Sequence, residues 1–537
     1  MPTRRTLLVR SIAAAVLCGA APFAALMPRG AMAAAIADAE IAGTAPFYCD
    51  VAVVGAGAAG LTAAVAAAQA GARVLVLEKM RMVGGNTVLA EDAVTAVDDP
   101  NDKEKHWPTA VRREIIAERE ALLKEMHRRG RTADAKLDEE LVDDSLNTVK
   151  WLKNLGLGLK PAGTRPGAKH VREYRLKSGS AFIGNALVGE LLAQSEALGI
   201  PIITNARVVD MSRSSCSDVD IEAVTMSGRS IKVHAKTVVL ATGGYAGSLD
   251  LVRRNCPACP PLMTTNVAGA TGDGIKLAEN LGAAIVDRDA VMLHPTTHAL
   301  TGTLISKPFR KCGAILVNAT GQRFVNELAV PEEVACAVLA QPGGCAWLIG
   351  DSSNFDRALF ERLRQTASIS RDDTIAQLAE TLGIRLADLA ETLDECRTTG
   401  ALEGKFARPL PASKFVTPPY FSIRIRPAIH GSLGGIRIDE KARVLDRQGA
   451  VIPKLFAAGD TTGGIYGRVR FDNFGLIGAL VFGRRAGTSA AQAAAAEKKA
   501  SRPLIQQTEA PVQPDEQQLL EKTAEQTAST ARRILGD

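Results

Sequence analysis

Aromatic residues make up only 4% of this 537-residue chain, three of them tryptophans. That scarcity removes the stacking platforms that nucleic-acid binders use and argues against a nucleic-acid partner. The chain has no Cys-x-x-Cys-His, so it carries no signature for attached haem c. Its one close thiol pair, Cys256-Pro-Ala-Cys259, is followed by Pro260 and lacks a second pair to complete a zinc site. A loop disulfide, two free thiols and a redox relay all remain open for it. A second Gly-x-Gly-x-x-Gly in a β-α-β setting is also missing, and a nicotinamide reductase of the two-dinucleotide type would need one. No long internal repeat is visible.

What is present describes a globular protein. Hydrophobic residues are 46% and charged residues 23%. The 48 glycines favour many tight strand–helix turns. The length predicts two packed units with accessories rather than one core. The net charge of +6 comes partly from arginines in the first 30 residues and does not indicate a polyanionic partner. Those residues read as a leader. Thr3-Arg4-Arg5-Thr6-Leu7-Leu8 resembles the twin-arginine pattern, an apolar stretch runs from Ile12 to Leu26, and Ala31-Met32-Ala33 offers a small-x-small cleavage site. The stretch is short, alanine-rich and interrupted by Pro22, which opposes a membrane anchor. Val16-Leu17 before Cys18 opposes a lipoprotein. No other segment looks transmembrane. The expectation is a periplasmic protein, not integral to the membrane after processing.

Residues 34–48 read as a linker. Asp50–Val54 predicts a buried strand, Leu61–Ala70 a small-residue helix and Arg73–Glu78 a second strand, which together form one β-α-β unit. A charged region from Lys103 to Leu155 predicts a solvated helical insertion. Val208–Leu240 predicts a small antiparallel sheet, Asp372–Thr399 paired helices, and the proline-rich Leu402–Pro419 a wrapping loop. Ser501–Pro514 reads as a linker, and Glu516–Leu535 as a terminal amphipathic helix.

Gly55-Ala-Gly57-Ala-Ala59-Gly60 sits between the first strand and its helix. The first glycine makes the tight turn, the second lets the backbone approach a pyrophosphate, and the third lets helix and strand pack closely. The helix N-terminus then stabilises phosphate charge. Glu78, followed by Lys79, ends the second strand where a carboxylate can bond ribose hydroxyls. Three further segments point to FAD as the dinucleotide: Gly84-Gly85-Asn86-Thr87, the strand ending Ala241-Thr242-Gly243, and the strand ending Gly459-Asp460. Asp273, Leu476 and Ile477 complete the expected cofactor contacts.

As an ordered set, these motifs resemble the fumarate reductase/succinate dehydrogenase flavoprotein family. They are most similar to its soluble periplasmic flavocytochrome-type fumarate reductases and to urocanate reductase, over roughly Asp50 to Gly487. Ala270-Thr-Gly-Asp-Gly274 resembles a further family segment. His294-Pro-Thr resembles the family's substrate-side HPT. Ser306 and Arg310 fall where the family has the Thr and Arg of T-E-x-x-R, with Lys307 in place of the Glu. Val317-Asn-Ala-Thr-Gly-Gln-Arg323-Phe-Val-Asn-Glu327 resembles VNxxGxRFxNE, which implies Arg323 as catalytic proton donor. Pro427-Ala-Ile-His430-Gly-Ser-Leu-Gly-Gly435 resembles PAxHxTMGG, which implies His430 as a carboxylate ligand. Arg470 falls at a carboxylate-binding arginine. Forked cations and imidazoles suit a carboxylate substrate in kind. His298 follows His294 by four residues, but Pro295 argues against a helix there, and no metal is expected. The chain departs from the family at Ala90–Ala96 beside the flavin and at Tyr466–Phe474.

The resemblance implies an α/β fold: a Rossmann-like FAD-binding domain, discontinuous in sequence, with an inserted α+β cap and the cleft between them. The expected organisation is a signal peptide at 1–33, the linker at 34–48, FAD-binding parts at 49–290 and 430–496, a cap at 291–429, and a linker with helical tail at 497–537. The implied reaction is reduction of the C=C bond of a small α,β-unsaturated carboxylate, with hydride from FAD N5 and a proton from Arg323. Electrons would come from a haem c or FMN protein in trans. The alternatives are an FAD dehydrogenase of the ketosteroid or tricarballylate type and an exported flavin electron carrier.

Overall fold

The computed structural model describes residues 35–36, 46–91, 93–130, 134–164, 168–180, 182–213, 218–353, 360–361, 364, 369–399, 404–408, 412–470 and 474–496. The expected signal peptide, most of the linker and the C-terminal tail lie outside these residues. Among the described residues, no helix is long and apolar enough to cross a membrane.

A buried parallel sheet forms where short apolar, β-branched runs recur between helices. Its strands are β1 (Ala35–Ile36), β2 (Phe47–Val54), β3 (Val74–Leu77), β7 (Ile202–Ile203), β10 (Ser230–Leu240) and β17 (Val451–Ala457), in the spatial order β1-β7-β3-β2-β10-β17 with parallel pairing throughout. Strand β2 starts three residues earlier than the sequence suggests, because Phe47 and Cys49 alternate inward at 2% and 3% exposure. Residues 35–36 pair with β7, so part of the expected linker is sheet edge.

Helix α1 (Ala58–Gln69) connects β2 to β3 and is nearly all small and buried. Its partner is the last described helix, α4 (Phe474–Ala495). A Cβ added at Gly483 would press to 2.6 Å from the Ala59 carbonyl oxygen, so small residues set the spacing of the two helices.

Strands β8 (Ala206–Arg213) and β9 (Val219–Thr225) form an antiparallel meander with the first half of β10. The second half of β10 then runs parallel within the main sheet. The charged region folds as α2 (Thr109–Gly130) and α3 (Ala135–Leu155). It is less solvated than its composition suggests. Helix α3 buries Leu137, Leu141, Val149 and Leu152 in the main core, because its apolar residues fall at helical spacing. Strand β4 (Val94–Val97) pairs with β6 (Val171–Leu176), which also carries β5 (Leu159–Thr164).

A second sheet has its own apolar cores. Strand β15 (Tyr420–Ser432) is central, flanked by β11 (Val291–His298), β13 (Ala346–Asp351) and the short β14 (Ser370–Asp372). Strand β12 (Ile315–Val317) pairs with β13, and all of these pairings are antiparallel. Strand β15 runs unbroken across residues 429 and 430 and carries His430 toward the main sheet. Paired helices Ile375–Leu382 and Leu386–Thr399 cover this sheet. Strand β16 (Arg443–Leu445) pairs antiparallel with β17 and closes the far edge of the main sheet.

Candidate active site

A cavity of about 440 Å³ opens at the C-terminal ends of β2, β3, β10 and β17, where ligands sit in open parallel sheets. Its wall includes Gly55, Gly57, Ala59, Glu78, Lys79, Gly85, Asn86, Thr87, Ala241, Thr242, Gly243, Asp273, Gly459, Asp460 and Leu476. Gly60 and Ile477 do not line it. Gly60 sits against the Gly55 carbonyl and Ile477 is fully buried, so both serve packing.

The three fingerprint glycines separate by role. Gly55 has φ +105°, and a Cβ there would collide with the Ala241 carbonyl. A Cβ on Gly60 would collide with the Gly55 carbonyl oxygen. At Gly57 the nearest protein atoms to such a Cβ are 3.7 Å away, so the fold itself does not require glycine there. That open cradle at the start of α1 is the space a pyrophosphate fills, and the residues present fit FAD on this ground.

The surrounding polar groups hold the cradle in shape. Thr87 Oγ1 accepts from Ala58 N at 2.9 Å. Glu78 accepts from Ala56 N and Met80 N, each at 2.8 Å, and burial raises its pKa against those donations. Lys79 Nζ donates to Asp273 at 3.1 Å and to Thr271 at 2.5 Å. Asn86 Nδ2 donates to Asn266 at 2.7 Å and Asn86 Oδ1 accepts from Val267 N at 2.9 Å, which ties two walls together.

At the other end of the cavity stand His430 and Arg470. His430 Nδ1 lies 2.8 Å from Thr265 Oγ1. The Arg470 guanidinium rests on Gly475, where a Cβ would meet Cζ at 2.7 Å. It lies 6.0 Å from the Tyr466 ring centre and 3.8 Å from Asp460. The ring of His294 is 5.2 Å from that of His430, behind it relative to the cavity. Burial, then the charge of Arg470, lowers the His430 pKa to about 3. Burial, His430 and Arg310 lower that of His294 well below the ordinary value. Both imidazoles are neutral in the free protein.

The structure does not bring Arg323 to this cavity. Its Nε and Nη2 each donate to the Glu327 carboxylate at 2.9 Å, and Nη2 also donates to Phe406 O at 3.0 Å. Arg408 joins the same carboxylate at 3.2 Å, and all three side chains are at most 4% exposed. In this structure the Arg323 fork faces Glu327 rather than the cavity, two buried charges holding each other. Arg310, 1% exposed, donates to the Glu327 carbonyl at 2.7 Å, and Ser306 is buried before it. Neither lines the cavity, although the charge of Arg310 reaches His294.

Sequence reasoning missed Thr264, Thr265, Asn266 and the Thr301–Leu304 stretch, all on the cavity wall. No local pattern marks them, and they arrive by chain folding alone. Cys256 and Cys259 are free thiols. The described residues contain no group of acidic, histidine and cysteine side chains fit to hold a metal.

Comparison with known proteins agrees with this geometry. The FAD binding domain family matches residues 50–470. A probable fumarate reductase of Shewanella frigidimarina, Ifc3, is 33% identical over 447 residues, covering 82% of this chain and 74% of that protein. Urocanate reductase of Eggerthella lenta is 28% identical over 461 residues, covering 82% and 74%. The solved open conformation of a flavocytochrome c3 fumarate reductase superposes with a TM-score of 0.67 at 32% identity, covering 84% of this chain and 79% of that one. With the glycine cradle, the parallel sheet and the sequence match in accord, the chain is an FAD-dependent oxidoreductase that belongs to the FAD-binding flavoprotein family of the fumarate reductases.

Proposed function

We propose that the protein reduces the C=C bond of a small α,β-unsaturated carboxylate in the periplasm. The observation that carries this reading is the meeting of Arg470 and His430 with the glycine cradle in one cavity. FAD, when bound there, supplies two-electron hydride chemistry. The relatives named as fumarate and urocanate reductases support the substrate class.

The chain's own residues have separable tasks. Arg470 offers a planar fork suited to a carboxylate, and Gly475 and Tyr466 fix its plane. His430 can donate to a carboxylate from Nε2 when its Nδ1 accepts the Thr265 hydroxyl proton. With both imidazoles neutral, Arg470 is the cation at this end of the cavity, and Asp460 stands 3.8 Å from it. A carboxylate drawn by cations at one end of the double bond stabilises negative charge that develops in the transition state. Export rests on the twin-arginine-like leader, and electron supply on a haem c or FMN protein in trans.

The test is anaerobic. Mature FAD-loaded protein is reduced with dithionite, then mixed with fumarate, urocanate, acrylate, cinnamates or itaconate. Rapid flavin reoxidation by one acid supports the reading and names the substrate. Reoxidation by none, with flavin still bound, refutes it.

A further inference from the structure

The segment that brings Thr264, Thr265 and Asn266 to the cavity wall starts at the close thiol pair of Cys256 and Cys259. Cys256 ends the short helix Leu249–Asn255, its backbone N donating to Val252 O at 2.8 Å. Pro257 and Ala258 then form an exposed turn, closed by Cys259 N donating to Cys256 O at 3.0 Å. Proline at the second place of such a turn has its φ set in advance. A turn of this kind holds its end Cα atoms within about 7 Å, and a disulfide spans about 4.4–6.8 Å. Both cysteines are free thiols, half-buried, and their side chains are hydrogen-bonded to each other.

The chain beyond Cys259 is fastened to the active site. Pro260 and Pro261 restrict the backbone, and Leu262 is buried. Met263 O accepts from Ile429 N at 2.8 Å, and Thr265 N donates to Ile429 O at 2.9 Å. Thr264 Oγ1 donates to Ala246 O at 2.8 Å, and Thr265 Oγ1 lies 2.8 Å from His430 Nδ1. The wall segment is thus paired with the end of β15 at one end and meets the thiol turn at the other. A bond between the two sulfurs would join the helix end to the start of that segment.

We propose that Cys256 and Cys259 are a disulfide-forming site, closed by exchange with a disulfide-bearing oxidant, and that the closed form clasps the Thr264–Asn266 wall of the cavity. Burial, then the neighbouring Cys256, holds the Cys259 thiol up to about 11, which makes Cys256 the first nucleophile. The Cys256 thiolate attacks one sulfur of the oxidant, the oxidant's S–S bond breaks, and one oxidant thiol leaves with the electron pair. Cys259 loses its proton as it attacks the Cys256 sulfur of the mixed disulfide, and the second oxidant thiol leaves. Two protein thiols have become one disulfide, and the oxidant has taken up two electrons and two protons as two thiols. A thiolate that is costly to form is also a poor leaving group, so the Cys259 sulfur is slow to be released again. That suits a lasting clasp rather than a catalytic relay. An exported protein meets such oxidants, although the thiol chemistry itself stands apart from the flavin reaction.

The test uses folded, FAD-loaded protein, first reduced and freed of reductant, then treated with oxidised glutathione. Peptide mass mapping should find Cys256 and Cys259 joined within one peptide, lighter by two hydrogens and closed to alkylation. The exposed Cys312 and Cys336 should carry glutathione, which shows that the oxidant reached the protein. Cys256→Ser should leave Cys259 alkylatable, and Cys259→Ser should hold a glutathione adduct on Cys256. Amide hydrogen exchange over Thr264–Asn266 should be slower in the oxidised wild type than in the reduced, with no such difference in Cys256→Ser. Thiols that stay open, or a glutathione adduct that persists on Cys256 in the wild type, overturn the disulfide site. Closure with unchanged exchange over Thr264–Asn266 overturns the clasp.

Discussion

The imidazoles of His294 and His430 stand 5.2 Å apart and tilted by 57°, on the neighbouring antiparallel strands β11 and β15. Burial makes both harder to protonate, His430 adds to the effect at His294, and Arg470 adds to it at His430. A pair that stays neutral until an anion arrives should take up protons when it does. Calorimetric titration of a carboxylate ligand in buffers of different ionisation enthalpy, at about pH 6, should show net proton uptake that disappears in His430→Asn.

The same pair gives the protein an acid-sensitive limb. The His430 pKa is lowered from 6.5 to about 3, so below 6.5 the unfolded chain binds the proton first. The stability is complete above 6.5 and is lost as pH falls toward about 3. Asp138 acts with the opposite sign. Its folded pKa of about 7 lies above the ordinary 3.8, so its contribution is complete below 3.8 and is lost as pH rises toward 7. Urea midpoints measured across pH should show Asp138→Asn gaining stability over wild type with rising pH, and His430→Asn flattening the acid limb. A parallel shift at all pH values would contradict both assignments.

Glu327 holds two buried arginines, Arg323 and Arg408. Removing one member leaves the others uncompensated, which costs about 3–5 kcal/mol. Glu327→Gln and Arg323→Ala should therefore lower the unfolding midpoint by that order. Per folded, flavin-loaded molecule, Arg323→Ala should keep most of its turnover. A loss of turnover without a loss of stability would restore Arg323 as an acid.

Gly57 and Gly60 should fail differently. Gly57→Val meets no protein atom within 3.7 Å of its new Cβ, so the apoprotein should fold while FAD binding falls, read as flavin absorbance per protein. Gly60→Val would drive a Cβ into the Gly55 carbonyl and should lower thermal stability before any cofactor is added.

Arg470→Met should reduce kcat/KM for the acid by about 10²–10³, or about 3–4 kcal/mol. Arg470→Lys keeps the charge but loses the fork, and should recover only part of it. Stopped-flow reoxidation of the reduced flavin measures both.

The cofactor half of the site was legible because its chemistry is local. Gly55 to Gly60, Glu78 and Thr87 lie within one β-α-β unit and its following turn, where strand and helix periodicity fix each residue's place. The substrate half was legible only in part. His430 and Arg470 reach the cavity, but Arg323, which resembles a catalytic arginine in its motif, turns onto a glutamate four residues away. No pattern in the chain distinguishes a fork aimed at a substrate from one aimed at a buried carboxylate.

The sequence by itself determined the parallel sheet, the glycine cradle and hence the cofactor, because backbone conformation and close packing act between near neighbours. Tertiary structure alone decided which charges are spent and which are available. It paired Arg323 and Arg408 with Glu327, set Thr265 against His430, and left the Asp138 carboxyl buried with neither oxygen hydrogen-bonded. Those outcomes depend on desolvation and on contacts between residues far apart in the chain, where no spacing rule reaches.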